Sequence, residues 1–421
     1  AMLVLITRPR KILFIHHGGA IGGAPVSMLQ MAAALDRGRF EPLAVFTQRG
    51  PILEFARGLG VTARVVPMHS AFFYSTLAPL RLRALWPFAR YYRQTVMTAR
   101  KLMEQVKPDL VHLNTSVLVP VAVGAKQNRT PILWHVREPA GPNPILRRWL
   151  ISRIQSLSDH IITNSEYVAR DYLGPRPLTV IHNALDKSRY SPVGDEIRER
   201  ARAELGLPLD APVIGIIGAV QAIKGHYFLV KAAPEVVKSI PTTHFLVVAG
   251  TVGEHYARSA RGRIKELLGF SLGNCERMQK LVRQLGLQRH FVFSGFRSDI
   301  PEMVAAMDVL VIPSLVPEGF GRPLIEAMAM GCPIVATDIG PTREVVGEDT
   351  AVLVRPGDVQ ELAHALVDVL SDRGKAKRLG NSGRRRFLEH FEMTAMQIKL
   401  QDVYERVLGH GNSLAGRSLS V

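Results

Sequence analysis

Two cysteines in 421 residues, Cys275 and Cys332, are too few for a disulfide framework and fit a reducing compartment. Neither has the neighbours of a metal site. The chain also lacks HExxH, a cysteine cluster, or an Asp-x-Asp pair in a useful setting, so the sequence requires no metal. No run of 18 apolar residues free of charge occurs, and no spanning helix is expected. Repeats and low-complexity tracts are missing too. The start, Met2-Leu-Val-Leu-Ile-Thr-Arg-Pro-Arg-Lys11, places its charges after its apolar run, the reverse of a secretory signal. A cytoplasmic location is the expectation.

Acidic residues are scarce in one half of the chain. Residues 1–200 carry 27 Lys/Arg against 13 Asp/Glu, and residues 201–421 carry 26 against 23, so +14 of the net +17 lies in the first half. Such a half suits an anionic partner: a membrane surface, a phosphorylated molecule or nucleic acid. No nucleic-acid motif is present, and nucleic acid is not expected. Leu80 to Arg93 and Arg147 to Arg153 mix cations with Trp, Tyr and Leu, as segments that dock on anionic lipid do. Peripheral contact with the inner face of the membrane is therefore expected.

What is present is an alternation of strands and helices. Buried strands are read at Lys11–His16, Pro42–Phe46, Val61–Val66, Leu110–Leu113, Ile132–Val136 and His160–Thr163. A second series runs through Val213–Ile217, Phe245–Ala249, Phe291–Phe293, Val309–Ile312 and Ile334–Ala336. The alternation implies α/β architecture with parallel doubly wound sheets, and ligands beyond the carboxyl ends of the strands. The length suits two domains. The polar stretch Asp186–Glu199 reads as the linker, with domains at 1–190 and 200–388. Residues 251–285 read as a polar insertion with helical character, and the tail after Gly409 as loose.

The densest signal is Glu318-Gly-Phe-Gly-Arg-Pro-Leu-Ile-Glu326, between a buried strand and a helix. A helix start offers backbone N–H groups and partial positive charge to a phosphate. Carboxylates accept hydrogen bonds from hydroxyls. Phosphate and hydroxyls together describe a nucleotide-sugar. With Pro313-Ser314 before it, Gly331-Cys-Pro-Ile-Val-Ala336 after it, and Gly340 and Glu344 beyond, the segment resembles the E-x7-E signature of the retaining glycosyltransferases of family 4. That resemblance implies the GT-B fold, two Rossmann-like domains facing across a cleft, with a last helix (about 391–410) crossing back to the first domain. It implies transfer of a sugar from a nucleotide-diphosphate sugar, UDP before GDP, to a hydroxyl acceptor with retention. The setting would be cell-envelope or polysaccharide synthesis. The basic half suggests a lipid-linked or phosphorylated acceptor.

The resemblance also assigns residues. Gly218-Ala-Val-Gln-Ala-Ile-Lys-Gly225 is similar to the family's Gly-Arg-Leu-x-x-x-Lys-Gly loop, which makes Lys224 the cation that neutralises the departing diphosphate. Ala219 stands where the family has arginine; Arg322 and Arg137 are the candidates to replace it. Glu318 would contact the donor sugar and Glu326 the ribose, with Gly319, Phe320, Gly321, Arg322, Pro323 and Leu324 lining the donor site beside Gly218. Arg297 would approach the nucleotide. Gly22 and Gly23 resemble the family's glycine loop, and His135, in Trp134-His-Val-Arg-Glu138, its sugar-contacting histidine, with His112 the second choice. Asn183 would fix a turn. No cofactor is implied. A GT-B-type epimerase and a non-catalytic nucleotide-sugar-binding protein remain the alternatives.

Overall fold

A computed structural model describes residues 8–69, 82–249 and 274–415, without the side chains of 82–89 and 410–415. The chain divides into two compact units, one of Ala1–Ala184 with Met393–Val421, the other of Leu185–Glu392.

In the first unit the strands are β1 (Arg10–His16), β2 (Phe40–Phe46), β3 (Thr62–Val65), β4 (Leu110–Asn114), β5 (Ile132–Val136), β6 (His160–Thr163) and β7 (Leu178–Val180). They form one sheet in the order β3-β2-β1-β4-β5-β6-β7, every pair parallel. Ile12 pairs with Pro42 on one side and with Leu110 on the other. Runs such as Ile-Leu-Trp-His-Val are buried along their whole length, as strands covered on both faces must be. Helix Met393–Ala415 belongs to this unit and places Met396, Leu400, Val403 and Tyr404 among Phe14, Met28, Leu29 and Phe40.

The second unit has β8 (Val213–Ile217), β9 (His244–Val248), β10 (Phe291–Phe293), β11 (Val309–Ile312), β12 (Ile334–Thr337) and β13 (Ala351–Val354). Their order is β10-β9-β8-β11-β12-β13, again all parallel. In each sheet the order reverses at one place, between β1 and β4 and between β8 and β11. A parallel sheet opens a crevice at the carboxyl ends of such strands.

One expectation meets a different structure. The stretch 186–199 does not form a linker: Tyr190 is 3% exposed, and Asp195–Glu204 is a helix whose Arg202 is buried. Arg202 donates to the carbonyls of Ala306, Leu209 and Ala211 at 3.0, 2.6 and 2.9 Å, and to Asp308 at 2.8 Å. A guanidinium with five donors satisfies several helix and loop ends at once. The edge strands β7 and β13, short and flanked by turns, are added to the sequence reading. Of the polar insertion, residues 251–273 lie outside the described residues, and Asn274–Gln284 is a helix, as its expected helical character requires. Residues 80 and 81 of the stretch Leu80–Arg93, and the tail after Ala415, also lie outside them.

Candidate active site

The second unit builds its site where β8 and β11 leave the sheet. After β8, Gly218 turns at φ 132°, and a short 3-10 turn, Ala222–Lys224, brings the lysine back. A Cβ on Gly218 would lie 3.6 Å from Lys224 Nζ, so the backbone passes close beneath the ammonium. After β11, Pro313 and Ser314 lead into the loop that carries Glu318. Lys224 Nζ donates to Glu318 Oε2 at 3.0 Å, and Ser314 Oγ donates to Glu318 Oε1 at 2.7 Å. Both charged side chains are about a quarter exposed, 27% for Lys224 and 26% for Glu318. With His226, Ser314, Gly321 and Pro323 they line one narrow pocket.

Gly321 caps the following helix, Arg322–Met330, in the left-handed region at φ 83°, with Pro323 in the first turn. The helix therefore starts at the pocket with its first N–H groups unspent by side-chain capping. Glu326 lies one turn further in and is 5% exposed. Arg322 Nε donates to its Oε1 at 2.8 Å. Burial works against the Arg322 cation, but Glu326 and the Tyr190 hydroxyl more than restore it and hold its pKa above the ordinary range. Arg322 is thus committed to orienting Glu326.

Some residues expected at the site are elsewhere. Phe320 is buried and meets Phe391 edge-on at 5.8 Å, and Leu324 belongs to the same core, so both side chains pack the domain and do not line the pocket. Arg297 is held by Asp299 at 2.8 and 2.5 Å and by Glu204 at 2.6 Å; these ion pairs, not a ligand, fix its guanidinium. Gly319 sits in the loop behind Glu318. In the first unit Gly22 has extended backbone, and a Cβ on Gly22 or Gly23 meets nothing closer than 3.9 Å, so neither turn demands glycine on steric grounds.

His135 also departs from the expectation. It lies on β5 with no exposed surface, which argues against contact with a bound sugar. Its Nδ1 lies 3.2 Å from His112 Nε2, and His112 Nδ1 lies 2.7 Å from the Tyr404 hydroxyl. Arg137 donates to His135 Nδ1 at 3.4 Å, to Asn183 at 2.7 Å, and to Asn114. Asn114 in turn lies 2.9 Å from His16. Burial, then the Arg137 cation, holds His112 and His135 well below the ordinary histidine range. Burial and His17 push His16 down to about 3. These rings are neutral members of a buried network that Asn183 joins. Arg137, like Arg322, is occupied by protein acceptors.

Reading the sequence missed Tyr190 and His226. Tyr190 falls within the polar stretch that reads as a linker. His226 follows the Lys-Gly pair and carries no local sign that it would be buried. Cys332 is buried, and burial with Asp308 pushes its thiol up to about 12, an inert side chain. Among the described residues no group of three or more His, Cys, Asp or Glu could hold a metal ion.

Residues 197–386 match the family model "Glycosyl transferases group 1", and residues 21–189 match "Glycosyltransferase Family 4". The chain belongs to the glycosyltransferases of family 4. Relatives of this glycosyltransferase include a D-inositol 3-phosphate glycosyltransferase of Corynebacterium aurimucosum, 25% identical over 375 residues, 86% of this chain and 76% of the relative. A 2-deoxystreptamine glucosyltransferase of Streptomyces kanamyceticus is 30% identical over 269 residues, 63% of this chain and 64% of that one. Among solved structures, Anabaena Alr3699/HepE in complex with UDP and glucose superposes with a TM-score of 0.76 at 22% identity, over 94% of this chain and 99% of that one. The glycosyltransferase has the GT-B architecture of such neighbours.

Proposed function

We propose that this glycosyltransferase moves a sugar from a UDP-sugar to a hydroxyl group on a phosphorylated or lipid-linked acceptor, with retention of configuration and without a metal. The observation that carries the reading is the 3.0 Å pair of Lys224 and Glu318 at the strand-order reversal of the second sheet, beside a helix start. Breaking a sugar–phosphate bond leaves added negative charge on the departing diphosphate. A fixed ammonium and backbone N–H groups stabilise that charge most in the transition state. Lys224 exchanges its carboxylate partner for the diphosphate, which releases Glu318 to accept from a sugar hydroxyl. Arg322 holds Glu326 so that Oε2 accepts from the ribose. Retention follows from attack on the face the diphosphate leaves, with a phosphate oxygen taking the acceptor's proton.

UDP is favoured because Alr3699/HepE is a UDP complex, and a phosphorylated acceptor because a relative acts on an inositol phosphate. The basic first 200 residues support work at an anionic membrane face in the cytoplasm, as part of envelope or polysaccharide synthesis. No helix among the described residues is long and apolar enough to cross a membrane. Co-sedimentation with anionic vesicles at low salt tests that placement, and no binding removes it. The second reading is a nucleotide-sugar binder without turnover, favoured by Ala219 at the position of the family arginine.

The test is a thermal-shift panel of UDP-, GDP- and ADP-sugars, each with and without EDTA. Stabilisation of the wild type by one donor, kept in EDTA and lost in Glu326→Ala, is the expected result. Turnover of that donor, lost in Lys224→Ala, then separates enzyme from binder. A panel without any shift sinks the donor-site reading.

A further inference from the structure

Helix Arg322–Met330 carries Glu326, and the groups that hold this carboxylate lead back to the turn Asp186–Tyr190. Arg322 Nε donates to Glu326 Oε1 at 2.8 Å, and both side chains are largely buried. The same guanidinium donates to the Tyr190 hydroxyl, and Tyr190 is buried as well. A guanidinium is planar, with its donors in a fixed fork. With Tyr190 and Glu326 both accepting from it, the fork has little freedom to turn.

Tyr190 is itself fixed. Asp186 Oδ1 accepts from the Ser188 N–H at 2.8 Å and from the Ser188 hydroxyl at 2.7 Å. The Tyr190 N–H donates to the Asp186 carbonyl at 3.0 Å, which closes the turn. Arg384, from helix Arg373–His390, donates to the Tyr190 carbonyl at 2.8 Å and to the Ala329 carbonyl at 2.5 Å. Ala329 lies in the last turn of the helix that carries Glu326. One arginine thus ties the Tyr190 backbone to the end of that helix, while the phenol reaches Arg322 at its start. Burial first, and Glu326 second, raise the phenol above its ordinary range, so the hydroxyl stays neutral. The ring belongs to the same core as Leu324 and Ile325. Phenylalanine would serve that packing equally well; the hydroxyl is spent on Arg322.

We propose that Tyr190 is a positioning residue for donor binding, whose hydroxyl fixes the Arg322 guanidinium and through it orients Glu326 toward the ribose hydroxyls of the nucleotide. This rests on the nucleotide-sugar reading of the site. A neutral acceptor behind the cation leaves the charge of Arg322 to Glu326, where a second carboxylate would compete for it. A carboxylate held in this way loses little freedom when a diol binds, so the cost of ordering it falls on the fold and not on the ligand.

The experiment titrates the full-length wild type, Tyr190→Phe and Glu326→Ala with UDP, GDP and ADP by calorimetry. Whichever nucleotide binds is then replaced by its dideoxyribose form, which offers Glu326 no hydroxyl. The expected result is about a three- to tenfold loss of affinity in Tyr190→Phe for the ribonucleotide, the worth of one hydrogen bond. Affinity for the dideoxyribose form should be the same in Tyr190→Phe as in the wild type. A tyrosine that only supports the fold would weaken both forms alike, and that outcome overturns the proposal. Equal affinity for the ribonucleotide in the wild type and Tyr190→Phe, with loss in Glu326→Ala, overturns the tyrosine assignment alone. A wild type that binds none of the three nucleotides, or a Glu326→Ala that binds as the wild type does, removes the donor-site reading and this assignment with it. Should Tyr190→Phe fail to fold, Tyr190→Met, which fills the space without a hydroxyl, is judged by the same outcomes.

Discussion

At the carboxyl ends of β1 and β4 the first unit holds His16 against Asn114, both buried, with Arg137, His112, His135 and Tyr404 behind them. After β8 and β11 the second unit holds Lys224 against Glu318, both partly exposed and bordering a pocket. The topology is the same, and the chemistry differs because of what covers each strand end. In the first unit Tyr404 and Met31 come from helices that close over the histidines. In the second, glycine-containing turns at Gly218, Gly225 and Gly321 keep side chains out of the way. Strongly shifted ionisation therefore marks the buried network at least as much as the pocket. A perturbed histidine is not by itself a catalytic one.

The widest separation of the two regions should appear in acid. His16, His112 and His135 have native pKa values below their unfolded value of about 6.5. They stay neutral in the fold while the unfolded chain takes up protons. Stability is then complete above pH ~6.5 and falls as pH drops from there toward the native values, by about 1.4 kcal/mol per pH unit for each ring. All three tryptophans, Trp86, Trp134 and Trp149, precede residue 184, so tryptophan fluorescence reports the first unit. Denaturant melts at pH 7.5 and 5.5 followed by that signal should show a loss of several kcal/mol. An equal midpoint at both values would refute the neutral network.

Next in size is Lys224→Ala. It should lower kcat by about 100- to 1,000-fold, the usual cost of one preorganised electrostatic partner. The melting temperature should barely change, since the pair it breaks is partly solvated. Donor-consumption kinetics and a thermal melt check both halves of the statement. A smaller effect is expected of Tyr404→Phe, which deprives His112 Nδ1 of its 2.7 Å partner. It should cost about 1–3 kcal/mol, read by tryptophan fluorescence. The smallest is Ser314→Ala. Without the 2.7 Å bond to Glu318 the carboxylate is less firmly oriented, and kcat should fall by up to about tenfold with the fold intact.

The parts that were legible in the sequence are those with a local cause. Runs such as Val213-Ile-Gly-Ile-Ile217 are apolar throughout and become central parallel strands. Glu318 and Glu326 flank a helix start that Gly321 and Pro323 announce. The edge strands β7 and β13 were harder, being three and four residues long and only partly buried. The helix Asp195–Glu204 was hidden by its polarity, because one long side chain, Arg202, does the packing that an apolar stripe usually does.

By itself the sequence determined the α/β class, the two series of strands and the family, since these depend on periodicity and on motifs contiguous in the chain. Tertiary structure alone decided which polar residues meet. Lys224 and Glu318 are 94 positions apart and pair only because β8 and β11 are neighbours. Tyr404 reaches His112 across 292 positions because the last helix packs on the first sheet. Burial is likewise a property of the assembled layers. That is why His135, beside an informative motif, lies buried against His112, while His226 borders the pocket of Lys224 and Glu318.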